Sequence, residues 1–229
     1  MRTISVFTAL LLGTWLSAAP ASVSAAPKAA AKSVTAKKGA KKSKARHAVF
    51  SGYQVPEARL RGNPLPRPSG KLVMTSVNEA GARVEVNIYN PDGSFNDDAL
   101  DTLNHFWRCR RTGTEKAIDP HLFEVLSHIY DRFGKPLELV SGFRNQKRTT
   151  SFHFVGSASD VRITGVSERN LKEYVEELDT GGMGIGIYPH GHFIHVDVRP
   201  EPSYRWVDYS PPGSSDMGQP KDRKRSPNS

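Results

Sequence analysis

Apolar and polar positions divide the chain into regimes. Ile4 to Leu16 is a short apolar run followed by small residues, and Pro27 to Arg46 is a low-complexity stretch dominated by Ala and Lys. Residues 47–69 are rich in Pro and Gly and read as an extended lead-in. From about Lys71 strand and helix periods take over. Leu72 to Val77 and Arg83 to Tyr89 are β-prone runs around Asn78-Glu79-Ala80-Gly81, a hairpin signal. A first helix is expected from Asn96 to Arg111, with Leu100, Leu103 and Trp107 as its apolar stripe; acids at its start and Arg108, Arg110 and Arg111 at its end complement the helix dipole. A second helix starts at Asp119-Pro120, repeats Leu122, Leu126, Ile129 and Phe133, and stops at Gly134. Leu137 to Val140 then reads as a strand, Asp160 to Thr164 as another, and Ser167 opens a third helix with Leu171, Tyr174, Val175 and Leu178 inward. Gly184 to Tyr188 and Phe193 to Val198 close the pattern as strands, and after Tyr209 it fades into Pro, Gly, Ser and basic residues. This predicts a single α+β domain over residues 70–209, between a flexible segment at 26–69 and a basic tail at 210–229.

The N-terminus adds a compartment. Arg2, the apolar run, and small residues with Val23 and Ala25 ahead of a cleavage point form the layout of a secretory signal peptide over residues 1–25. Export to the periplasm or cell envelope is therefore expected, with no stable membrane span after processing, because the run is short for a permanent one. Cys109 is the only cysteine, so an exported chain folds here without an internal disulfide.

The formal net charge of +9 changes the picture once it is located. Arg2, Arg46 and the seven lysines between them are nine cations, and no acid precedes Glu57. Residues 57–229 then carry 23 basic and 23 acidic groups. A nucleic-acid-binding domain is excluded on that balance. The Lys-rich segment reads as a solvated linker, with unspecific attraction to anionic envelope polymers as the alternative.

Two stretches carry candidate chemistry. His153 and Asp160 stand seven positions apart, a spacing at which neither a helix nor a strand aligns side chains, but Gly156-Ser157-Ala158-Ser159 between them can fold the chain back. In Phe193-Ile194-His195-Val196-Asp197, alternation puts His195 and Asp197 on one face and apolar residues on the other. Imidazole is a normal zinc ligand, and a neighbouring carboxylate orients it or handles protons.

Ser141-Gly-Phe-Arg144, Ser151-x-His153-x-x-Gly156-x-Ala158-x-Asp160 and Gly182-x-Gly184…Tyr188-Pro189…Phe193-Ile-His195-Val-Asp197 occur in order. Together they resemble the zinc D-Ala-D-Ala peptidase superfamily, especially its murein endopeptidase K-like branch, over roughly residues 70–207. The resemblance implies a central, mainly antiparallel sheet packed by about three helices. It implies one zinc ion held by His153, Asp160 and His195, with a fourth position left for water. Arg144 matches the family arginine that holds a substrate carboxylate or the developing oxyanion, with a structural ion pair as its plainer reading. Two features depart from the pattern. Only eight residues separate Arg144 from His153, where relatives often carry a longer insertion. The position three before the last metal histidine, a glutamate base in many members, holds His192. His192 and Asp197 are therefore rival candidates for the base.

The activity implied is hydrolysis of stem-peptide crosslinks in peptidoglycan by metal-activated water. The alternatives are a D,D- or L,D-carboxypeptidase on the same peptides and a non-catalytic peptidoglycan-binding relative.

Overall fold

In the computed structural model, which describes residues 49–212, the three long helices open on the side chains the sequence offers as caps. Asn96 accepts the Ala99 N–H at 3.0 Å and starts α1 (Asp97–Phe106). Asp119 accepts the His121 N–H at 3.0 Å and starts α2 (Pro120–Phe133). A single turn, α3 (Phe152–Val155), follows, and then Ser167 accepts the Asn170 N–H at 3.2 Å to start α4 (Glu168–Leu178). Each such cap satisfies a backbone donor that a helix start leaves unpaired, for about 1 kcal/mol.

Eight strands form one sheet: β1 (Phe50–Gln54), β2 (Lys71–Ser76), β3 (Arg83–Asn87), β4 (Leu137–Ser141), β5 (Ala158–Arg162), β6 (Met183–Tyr188), β7 (Phe193–Val198) and β8 (Tyr204–Asp208). Their spatial order is β1-β8-β6-β7-β5-β4-β2-β3. Only β2/β4 and β6/β8 run parallel, so the sheet is mainly antiparallel, as the α+β reading expects. Leu122, Leu126 and Ile129 of α2 and Leu171 and Val175 of α4 bury against Val161, Ile185, Ile194 and Val196 of the sheet. Trp107 meets Phe123 edge-on at 5.1 Å in the same core. Side chains of this size contribute roughly 1.5–3 kcal/mol each on full burial. Among the described residues, no helix is long and apolar enough to cross a membrane.

The structure corrects the sequence reading in three places. The first helix ends at Phe106 rather than Arg111. The Trp107 carbonyl, which a longer helix would spend on the Arg111 N–H, instead accepts the N–H of Phe143 at 2.9 Å. Arg108 and Arg110 still bond the helix's last carbonyls, those of His105 and Phe106, from beyond its end. Second, β1 lies within the segment read as a flexible lead-in; every residue of it is exposed, so it shows no apolar alternation, and its place comes from pairing with β8. Third, β8 itself was not expected, nor was α3. The signal peptide, the Lys-rich segment and the tail from residue 213 lie outside the described residues.

Candidate metal centre

One row of cross-strand neighbours carries the polar chemistry of the sheet. From the β1 edge inward, Gly52 pairs with Trp206, Trp206 with Gly186, Gly186 with His195, His195 with Asp160, and Asp160 with Ser141. Directly opposed residues share a face, so this row looks away from the apolar face presented by Ile194, Val196 and Val161. Ser141 reaches the row through a register shift after Leu139. The irregularity re-aims one side chain, leaving Leu139 in the core and Ser141 beside Asp160. Gly186 is needed for close approach: a Cβ there would lie 2.2 Å from the Trp206 indole, whose ring centroid sits 5.0 Å from that of His195.

His153 comes from outside the sheet. The α3 turn lifts it over the row, and Gly156 in the left-handed region (φ 89°) reverses the chain so that β5 can bring in Asp160. This is how residues seven apart converge. The His153 Nδ1–H donates to the Gly142 carbonyl at 2.7 Å. Gly142 is itself pressed against the end of α1, where a Cβ would lie 2.8 Å from the Trp107 carbonyl oxygen. The early helix stop thus anchors the loop that orients a candidate ligand.

The three side chains meet as buried groups whose donor atoms all lie within 4.8 Å of one another. His153 Nε2 is 3.1 Å from His195 Nδ1, and His195 Nδ1 is 2.8 Å from Asp160 Oδ1. On its other side the His195 Nε2–H donates to Asp197 Oδ2 at 2.9 Å, and Arg199 holds Asp197 with Nε at 2.6 Å. Each imidazole therefore spends one nitrogen on a fixed acceptor and turns the other, with its lone pair, toward the cluster. Two imidazoles and a carboxylate so arranged fit a divalent ion of the zinc type, one donor short of a closed tetrahedron.

The charges in the cluster agree with that arrangement. Burial pushes the Asp160 carboxyl up, but His153 and Arg144 outweigh it and hold the group well below the usual carboxylate range. Burial likewise opposes ionisation of Asp197, and the bonds from Arg199 and His195 again win. Burial lowers the His153 imidazole. For His195 burial is outweighed by Asp160 and Asp197, which raise it. Asp160 thus stays ionised beside two imidazoles, the form in which a carboxylate can serve as a ligand, while Arg144 and Arg199 balance the charges of the two carboxylates.

The other candidates separate. Arg144 donates to Asp160 Oδ2 and, through Nε, to Ser141 Oγ at 2.7 Å, so in this state it is an ion-pair partner of a candidate ligand. Asp197 is fully buried and engaged by His195 and Arg199. His192 is not brought to the cluster: its side chain is 77% exposed, in the turn before β7, with Glu168 of α4 as its acidic neighbour at 3.8 Å. His192 lies just outside β7 with a left-handed backbone (φ 52°), so the alternation that aims His195 at the row does not extend to it. Neither rival for the base is therefore free and facing the cluster.

Sequence reading missed Arg199 and Trp206. Arg199 had a legible signal, two positions beyond Asp197 and hence on its face. Trp206 had only the alternating Gly184-x-Gly186, which marks a strand over which something large lies. Phe50, Phe152, Tyr204 and Trp206 line a cleft of about 320 Å³ that opens onto His153 and His195.

Replacing Asp197 by Asn is expected to weaken zinc binding by about 10–100-fold, the usual effect of losing a carboxylate behind a ligand histidine. Competition against a chelating dye measures it, and an unchanged affinity would remove Asp197 from that role.

Residues 69–204 match the family described as peptidoglycan L,D-endopeptidase MepK. Proteins of that name from Escherichia coli (strain K12) and Shigella flexneri are each 30% identical over 149 residues, covering 59% of this chain and 79% of theirs. A probable peptidoglycan L,D-endopeptidase MepK from Haemophilus influenzae is 30% identical over 128 residues, 49% of this chain and 68% of the relative. No solved structure matches the chain significantly.

Proposed function

This chain belongs to the peptidoglycan L,D-endopeptidase MepK family, and we propose from that premise that it is a zinc-dependent endopeptidase cleaving L,D-crosslinks between peptidoglycan stem peptides. The observation that carries the metal part is the meeting of His153 Nε2, His195 Nδ1 and Asp160, with Gly142 and Asp197 holding the two imidazole tautomers. Those three residues would hold the ion, which supplies Lewis-acid activation of water for attack on an amide carbonyl. Asp197 acts through His195, keeping its Nε2 protonated and its Nδ1 turned to the ion. Arg144, paired with Asp160, lies where its guanidinium can turn to the carbonyl oxygen as charge develops there. The rings of Trp206 and Phe152 line the cleft beside His153 and His195 and offer an apolar wall to the peptide.

Internal cleavage, rather than trimming of a terminal residue, is supported by space on both sides of the cluster. In the row order, the cleft lined by Phe50 and Trp206 lies beyond His195, and a second cavity lies beyond Asp160, where Ser141 and Arg144 border it. Residues 1–25 direct export under this reading, the peptidase domain begins with β1 rather than at residue 70, and the enzyme works in the periplasm or cell envelope. The test is digestion of purified L,D-crosslinked muropeptide dimers with products resolved by mass, before and after chelation and zinc readdition. Conversion to monomers that stops on chelation and returns with zinc is expected. Loss of a terminal residue with the dimer intact would overturn the endopeptidase reading.

A further inference from the structure

The cavity beyond Asp160 has a chemistry of its own. It measures about 320 Å³ and lies outside the carboxyl ends of the parallel pair β2 and β4. Four of its lining residues are arginines: Arg108, Arg110, Arg111 and Arg144. Three come from the turns after α1, where the helix stops early, and the fourth borders the metal cluster. Their acidic partners are too few. Glu79 serves both Arg108 and Arg110, and Asp160 serves Arg144. Arg111 donates to the Asn145 carbonyl at 2.5 Å and has no carboxylate partner among the described residues. Four arginines thus line the cavity, while the two carboxylates that pair with them, Glu79 and Asp160, are not among its lining residues, which leaves a local positive excess.

We infer that this cavity is a carboxylate-binding subsite, built on Arg111 with Arg108 and Arg110 behind it, for a free carboxylate of the stem peptide whose bond lies over the metal cluster. The inference rests on the proposed endopeptidase reading and names what lies on one side of the scissile bond. Guanidinium groups bind carboxylates through paired, charge-assisted bonds that ammonium groups do not reproduce. Arg144 spans the two sites, since it both borders the cavity and reaches Asp160. A carboxylate within a residue or two of the scissile amide is then within reach, because each extended residue advances about 3.3–3.6 Å. Stem peptides offer two sources, the C-terminal carboxylate and the side-chain carboxylate of the diamino acid.

Titration calorimetry on the zinc-loaded full-length protein tests this with uncrosslinked stem tetrapeptide as probe. Three forms are compared: the free acid, the C-terminal amide, and the peptide amidated only at the diamino-acid carboxyl. The free acid is expected to bind at least about 10-fold tighter than one of the two amides, the amide that loses affinity identifying the source. Arg111→Met is expected to lose about 10-fold or more in affinity for the free acid and to erase the difference between acid and amide. Arg111→Lys, which keeps the charge, is expected to retain part of it, with far-UV dichroism checking that both variants are folded. Equal affinity for all three peptides in the wild type, or full discrimination by Arg111→Met, would overturn the subsite. Dimer cleavage without acid–amide discrimination removes this inference alone, whereas discrimination without any cleavage removes the endopeptidase reading and leaves the subsite.

Discussion

Exchange of His153 for Ala is expected to lower muropeptide cleavage by at least about 1,000-fold, equivalent to some 4 kcal/mol of barrier. The same exchange should reduce zinc from about one ion per chain to a trace. Only three side chains converge, and His153 alone enters from outside the sheet, on the α3 turn held by Gly142. Without it, His195 and Asp160 remain on the row with two donors, too few for a tight zinc site. Activity of the variant as purified, with its metal content by mass spectrometry, checks both parts. Cleavage within tenfold of wild type at that low metal content would show that the hydrolysis does not run through this ion.

The largest effect on stability is expected away from the cluster, at Asp179. This carboxylate is buried at the C-cap of α4 and ion-paired to Arg205 of β8, whose side chain is only 4% exposed. It also accepts the Ser203 hydroxyl and the Gly181 N–H, each at 2.9 Å, while its backbone carbonyl takes the Arg61 N–H at 2.8 Å. Asp179→Ala leaves a buried guanidinium short of its nearest anion, a change that typically destabilises by about 3–5 kcal/mol. Glu176, 3.1 Å from Arg205, softens the loss toward the lower figure. Urea unfolding of both proteins at equal zinc checks it. A difference under about 1 kcal/mol would mean that Glu176 compensates Arg205 by itself.

What could be read in the sequence follows the reach of each signal. Asp119 and Ser167 were legible as helix starts because capping is decided within three residues. His195 and Asp197 were legible as a same-face pair because strand alternation is local as well. The three candidate ligands were named from ordered motifs, and the small residues from Gly156 to Ser159 already marked where the chain folds back between His153 and Asp160. The α3 turn is four residues long and has no periodicity to detect. The end of α1 was misjudged because Arg108 to Arg111 suit a helix terminus, while the competing demand on the Trp107 carbonyl comes from Phe143, far along the chain. Strand β1 was invisible for a similar reason: its exposed residues acquire order only from β8, about 150 positions later. His192 looked suitable by position relative to His195, but it falls in the left-handed turn just before β7 and stays exposed there.

The single row from Gly52 to Ser141 has one more consequence. A sheet whose strands slide by one residue exposes the opposite set of side chains, so a slipped β7 would present Ile194 or Val196 where an imidazole is required. Only the correctly threaded sheet could then capture the proposed ion, and capture would withdraw that arrangement from equilibrium with its misaligned competitors. Zinc in this protein would act as an assembly inspector, accepting one alignment of strands and leaving the others to unravel.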